Sequence, residues 1–181
     1  MSKAARDPHK QIWQRCLSEL VPEIQSWGFQ SHPAYETGWE PANQNYECVL
    51  LWPDLSAGLL QVFVHYYPAW AELRLEALRL AVTDKTPRRL ADMPAAAAAW
   101  TDLGLTTAAA RIQLMGPRRW GIVPREGYRF SIDRRDKTLR DGDRVFAALA
   151  KNLPFLKAAL FERYRGGKVE VENRPALAQP G

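Results

Sequence analysis

The chain predicts an α+β fold, an antiparallel β-sheet covered by N-terminal and C-terminal amphipathic helices. Three observations carry that expectation. Between Tyr46 and Tyr67, two runs rich in β-branched and aromatic residues flank the turn-forming stretch from Pro53 to Gly58, the pattern of a hairpin. Near each end of the chain, apolar residues recur at helical spacing. The 181 residues, 46% hydrophobic and 25% charged, suit one globular domain with a core large enough to need neither disulfides nor metals. The domain is expected over residues 8–165, with a mobile N-terminus over 1–7 and a mobile tail over 166–181.

The first helix begins at Asp7-Pro8, an N-cap followed by proline at the first helical position. Ile12, Trp13, Cys16, Leu20, Ile24 and Trp27 give it one apolar face, and Gly28 closes it. Pro22 lies inside the pattern and should kink or split it. Residues 29–45 are polar, with an irregular strand expected around Tyr35–Trp39; the size of Trp39 favours a core anchor.

In the hairpin, Tyr46, Cys48, Leu50 and Trp52 share one face, and Glu47, Val49 and Leu51 the other. Pro53 ends the first strand. His65 on the second strand is in phase with Leu59, Gln61 and Phe63. Both runs are apolar enough for both faces to be covered in part.

Residues 69–82 can be read two ways. Glu72, Arg74 and Glu76 alternate with Leu73, Leu75 and Ala77, which suits a strand. The phase slips at Leu78 and Leu80, and Ala, Leu, Glu and Arg are helix formers, so the expectation tips to helix. A connector over 83–94 leads to an alanine-rich helix over 95–103, ended by Gly104. Short strands are expected at Arg111–Met115 and Tyr128–Ile132, with a third at Trp120–Val123. Gly116-Pro117 and Pro124–Gly127 read as turns. A charged loop over 133–142 leads to the last helix, capped by Asp143. Its apolar face runs from Val145 to Tyr164, and Pro154 should kink or divide it. Alternation over Lys168–Glu172 would allow a short edge strand.

The net charge is +5 and it is concentrated. From Arg111 to Arg144 there are ten basic residues and five acidic ones; the rest of the chain holds fifteen of each. Arg118, Arg119, Trp120, Arg125, Arg129, Arg134 and Arg135 therefore form the candidate partner-binding set. Arginines with an adjacent tryptophan suit a protein interface. They also suit phosphates and stacked bases. The interspersed acids repel phosphate and no nucleic-acid motif is present, so the expected partner is a protein, with nucleic acid as the alternative.

Chemistry of other kinds finds little support. His9, His32 and His65 with the distant Cys16 and Cys48 make no zinc pattern, and no phosphate-binding loop or nucleophile elbow occurs. Asp133, Asp136, Asp141 and Asp143 are interleaved with cations that compete with a metal. Glu47 and His65 can face each other across the hairpin, without an evident third catalytic group. No cofactor, metal or enzymatic activity is expected. The two cysteines read as buried small hydrophobes in a reducing compartment. No apolar stretch approaches the roughly 20 residues of a membrane span, and no secretory region follows the N-terminus. A cytoplasmic protein is expected, and the richness in Ala, Arg, Pro and Trp points to a GC-rich bacterial genome.

Three segments carry a family resemblance: the helix ending in Trp27-Gly28-Phe29, the pair Arg111–Met115 and Arg119–Val123, and Leu153-Pro154-Phe155-Leu156 in the last helix. In their order along residues 8–165 the chain resembles the bacterial domain of unknown function 4304 family. The resemblance implies a curved antiparallel sheet covered by terminal helices. It also implies a small bacterial domain of a kind found near toxin systems, where immunity proteins occur. It carries no catalytic residues.

Overall fold

The computed structural model describes residues 7–56, 58–81, 84–95, 109–119, 123–164 and 166–173. Helix α1 (Pro8–Arg15) starts as the sequence demands: Asp7 accepts a hydrogen bond from the His9 amide at 3.0 Å. A π-helical stretch, Cys16–Leu20, then joins it to α2 (Val21–Ser26). Pro22 explains the wider turn. It has no amide hydrogen and its ring crowds the carbonyl four residues back, so the helix widens just ahead of it. Gly28, at φ +110°, reverses the chain; a Cβ there would lie 2.9 Å from the Trp52 ring.

The sheet is antiparallel throughout. Its main path runs β1 (Gln30–Ser31), β3 (Asn45–Leu51), β4 (Leu59–Tyr67), β5 (Glu72–Leu80), β6 (Ala109–Leu114) and β10 (Val169–Asn173), with β2 (Gly38–Glu40) also pairing with β3. One edge of β5 is shared. Its Glu76–Leu80 half pairs with β6, and its Glu72-Leu73 end pairs with β9 (Tyr128–Arg129). Between β6 and β9 the chain makes a separate hairpin of β7 (Gly116–Arg119) and β8 (Val123–Arg125). Helix α3 (Gly142–Leu160) precedes β10.

One face of the sheet packs against the helices. Cross-strand rows place Cys48, Val64 and Leu75 together, and Leu50, Val62, Ala77 and Ile112 together. All seven are buried in the main core with Ile12, Ile24, Leu149 and Leu156 of the helices. A band of rings crosses this core. Trp13 stacks on Tyr46, Tyr46 on Tyr66, and Tyr66 meets Phe130, which meets Phe146 of α3. Cys16 and Cys48 are buried free thiols, and burial pushes both thiol pKa values up.

Several expectations change here. Residues 72–80 are a strand, not a helix. The phase slip at Leu78 and Leu80 needs no bulge, because pairing to β4 is continuous. The other sheet face is covered at that end by a small second core of Leu51, Leu55, Leu59 and Met93, against which Leu80 packs. Apolar residues are therefore wanted on both faces there, and alternation is lost. Gly116-Pro117 is no turn but the start of β7, where the register shifts. α3 begins at Gly142, after Asp141 rather than Asp143, and continues through Pro154 undivided. Asp143 instead lies in its first turn and accepts from Arg15 at 2.8 Å. Trp39 is 50% exposed, resting edge-on against Tyr46. The alternation over Lys168–Glu172 does form an edge strand, and β10 carries the sheet past residue 165. The alanine-rich helix expected over 95–103 lies outside the described residues from 96 onward. Among the described residues no helix is long and apolar enough to cross a membrane.

Truncation tests which face holds the fold. Leu50→Ala should lower stability by about 2–5 kcal/mol, since Leu50 is fully buried in the central row. Leu17→Ala, on an exposed helix side, should change it by less than about 0.5 kcal/mol. Urea unfolding midpoints of the two variants provide the check.

Candidate functional site

The basic stretch is spread over several elements. Arg118 and Arg119 lie on β7 and Arg125 on β8, while Trp120 lies outside the described residues. Arg129 lies on β9, and Arg134 and Arg135 lie in the loop beyond it. The structure thus separates a hairpin group, a sheet-edge arginine and a loop pair.

Four cations of this stretch, Arg111, Arg129, Arg140 and Arg144, are already engaged in ion pairs. Glu72, buried at the end of β5, accepts from Arg74 at 2.7 Å and from Arg129 at 2.6 Å. Burial pushes the Glu72 carboxyl up, and the hydrogen bonds from Arg129 and Arg74 outweigh it, leaving its pKa below the ordinary value. Arg111 makes a two-pronged contact with Glu76, at 2.7 and 3.1 Å. Arg140 pairs with Asp133, and Arg144 with Asp141 at 2.7 Å. Small residues make the Glu72 cluster possible. A Cβ on Gly127 would sit 2.8 Å from Cγ of Glu72, and one on Gly116 only 2.0 Å from the Gly127 carbonyl oxygen.

Arg134, Arg135 and Lys137 differ. They are exposed and have no ion pair among the described residues. All three line an open cleft of about 850 Å³. Its other walls are the start of α1 (Asp7, Pro8, His9) and the tight turn from Pro68 to Ala71 that joins β4 to β5. Phe130 and Ile132 also line it. Trp70, on that turn, is 57% exposed, with its ring 5.4 Å from that of Tyr67. His9 is held by a 2.7 Å contact between its Nδ1 and the Tyr66 hydroxyl.

The sequence singled out Arg134 and Arg135 but missed Trp70 and the cleft. A signal existed. Pro68-Ala69-Trp70 directly follows an apolar strand, and a tryptophan at a hairpin tip has little to cover it. That signal is unreadable while residues 69–82 pass for a helix.

The Glu47–His65 pairing is real in register, and the contact is 3.7 Å between Oε2 and Nε2, too long for a hydrogen bond. Two further groups join it: Asn45 Nδ2 and the Tyr67 hydroxyl lie 3.2 and 3.1 Å from Nδ1. Burial lowers the His65 pKa and raises those of Glu47 and Tyr67. His65 Nε2 and Asn45 Oδ1 are both buried without a hydrogen-bond partner. Among the described residues, no three His, Cys, Asp or Glu side chains are grouped to hold a metal.

No family model matches the chain, and neither a curated protein nor a solved structure matches it. The reading of the site therefore rests on geometry.

His32 gives a test of the polar interior. It is 2% exposed, its Nδ1 accepts from the Ala34 amide at 3.1 Å, and Nε2 lies 3.1 Å from the Gln61 carboxamide nitrogen. Burial lowers its pKa to about 4. A protonated Nδ1 would confront the Ala34 N–H. The folded state thus binds fewer protons than the unfolded chain, so the contribution is present in full above pH 6.5 and lost as pH falls toward 4. Its full size is roughly 3 kcal/mol. His32→Gln should flatten the loss of stability across that window; urea titrations at several pH values measure it.

Proposed function

We propose that the protein is a non-catalytic protein-binding module, acting in the cytoplasm as an immunity-type inhibitor of a toxin. One observation carries the reading. Arg111 on β6 and Arg129 on β9 are paired with carboxylates of β5, and Arg134, Arg135 and Lys137, without an ion pair among the described residues, gather with an exposed tryptophan around a cleft. Arginine and tryptophan around a concave surface are the common anchors of protein interfaces. A reader of nucleic-acid backbone needs a continuous run of available cations, and the ion pairs at Glu72, Glu76, Asp133 and Asp141 interrupt such a run. The resemblance to the 4304 family supplies the toxin context.

Capture from a bacterial lysate, with and without nuclease, tests the reading. One protein should be recovered in both arms. An Arg134→Glu/Arg135→Glu variant should bind it roughly 30-fold more weakly, the effect of two anchors worth about 1 kcal/mol each. Nucleic acid recovered only without nuclease, and no protein in either arm, would favour the alternative of a nucleic-acid-binding domain. Undiminished capture by the variant would remove the loop arginines from the interface.

A further inference from the structure

We infer that the cleft between the start of α1, the Pro68–Ala71 turn and the 133–137 loop receives an acidic polypeptide segment of the partner. The inference rests on the protein-binding reading and names the chemistry that the site selects. It starts from the state of the charges. The cleft holds three carboxylates and three cations besides His9. The carboxylates are held within the fold: Asp7 accepts from the His9 amide and Asp136 from the Thr138 amide and hydroxyl, while Asp133 accepts from the Arg135 amide and is paired with Arg140. Arg134, Arg135 and Lys137 have no such partner among the described residues. Arg140 lies outside the cleft lining and compensates Asp133, so Arg134, Arg135 and Lys137 face only two uncompensated carboxylates, Asp7 and Asp136, and the cleft keeps a small positive excess.

The apolar walls decide between classes of anion. Pro8, Pro68, Ala71, Phe130 and Ile132 line the same space, and Trp70 stands at its edge. Such walls suit apolar side chains placed between carboxylates. A phosphate backbone would bring charge at every step, against those apolar walls. Trp70 is backed by Tyr67, and the Arg74 guanidinium lies 5.9 Å from its ring. It therefore loses little freedom on binding, as an anchor should. The 133–137 loop is also preformed, by the Asp133–Thr138 backbone bond and the bridge between Ile132 and Leu139.

The probe is a synthetic peptide of Asp and Glu interspersed with Leu and Phe, titrated into the full chain by calorimetry. Its controls are the Asn/Gln counterpart and a single-stranded oligonucleotide of equal charge. The acidic peptide should bind, and binding should weaken with salt. The Asn/Gln peptide should bind at least about tenfold more weakly, as should the acidic peptide to Trp70→Ala and to Arg134→Glu/Arg135→Glu with unchanged circular dichroism. Equal binding of the two peptides, tighter binding of the oligonucleotide, or unaltered binding by both variants would overturn the inference. If the peptide neither binds nor competes while the loop arginines still govern capture of a lysate protein, the acidic segment is wrong and the protein-binding reading stands. If neither occurs, both fall.

Discussion

The buried carboxylate of Glu72 is the constraint on which the functional face depends. It sits at the end of a central strand, where leaving a charge unpaired costs several kcal/mol. Two arginines meet that demand. Arg74 comes from the same strand and Arg129 from β9, far along the chain. By drawing Arg129 in, Glu72 reinforces a strand of only two residues on the edge of β5. From there the order spreads. The Phe130 amide donates to Ala71, Phe130 joins the ring band of the core, and the following loop is set along the cleft. A local electrostatic requirement thus fixes which cations are used up and where the remaining ones stand.

Arginine content is for that reason a poor guide to a binding surface here. Ten basic residues crowd Arg111 to Arg144, and the excess suggests one electropositive face. The fold distributes them instead. Arg111 and Arg129 lie over acidic residues of β5, and Arg140 and Arg144 brace the loop that leads into α3. The cations left for recognition on the 133–137 loop are few, localised and set beside an exposed aromatic ring. That combination gives specificity by shape and by matched charge rather than by total charge.

The fold class was legible because its signals are local and periodic. Asp7-Pro8, the hairpin from Tyr46 to Tyr67 and the apolar stripe of α3 follow from helix caps and from side-chain periods of 3.6 and 2. The failures come where tertiary context overrides a local rule. Leu78 and Leu80 break alternation because a second small core covers the far face of β5. Pro154 leaves α3 whole, and Gly116-Pro117 enters a strand because backbone segments approach one another too closely for a side chain. The site was half legible. Arg134 and Arg135 were visible as charge, whereas Trp70 is brought to them by the antiparallel closure of β9 on β5 and His9 by the packing of α1 on Tyr66. No spacing in the sequence encodes which arginines a buried glutamate will consume.

Hydrogen exchange in a Glu72→Gln variant tests this account most directly. The neutral amide keeps the shape of Glu72 and removes the charge that holds Arg74 and Arg129. The prediction is faster exchange at the Phe130 and Arg140 amides, which bond to Ala71 and Ser131, with protection retained at Val62 and Val64 in the central strand. Unchanged exchange at Phe130 would contradict the account, because β9 and the cleft would then be held by something other than the Glu72 charge.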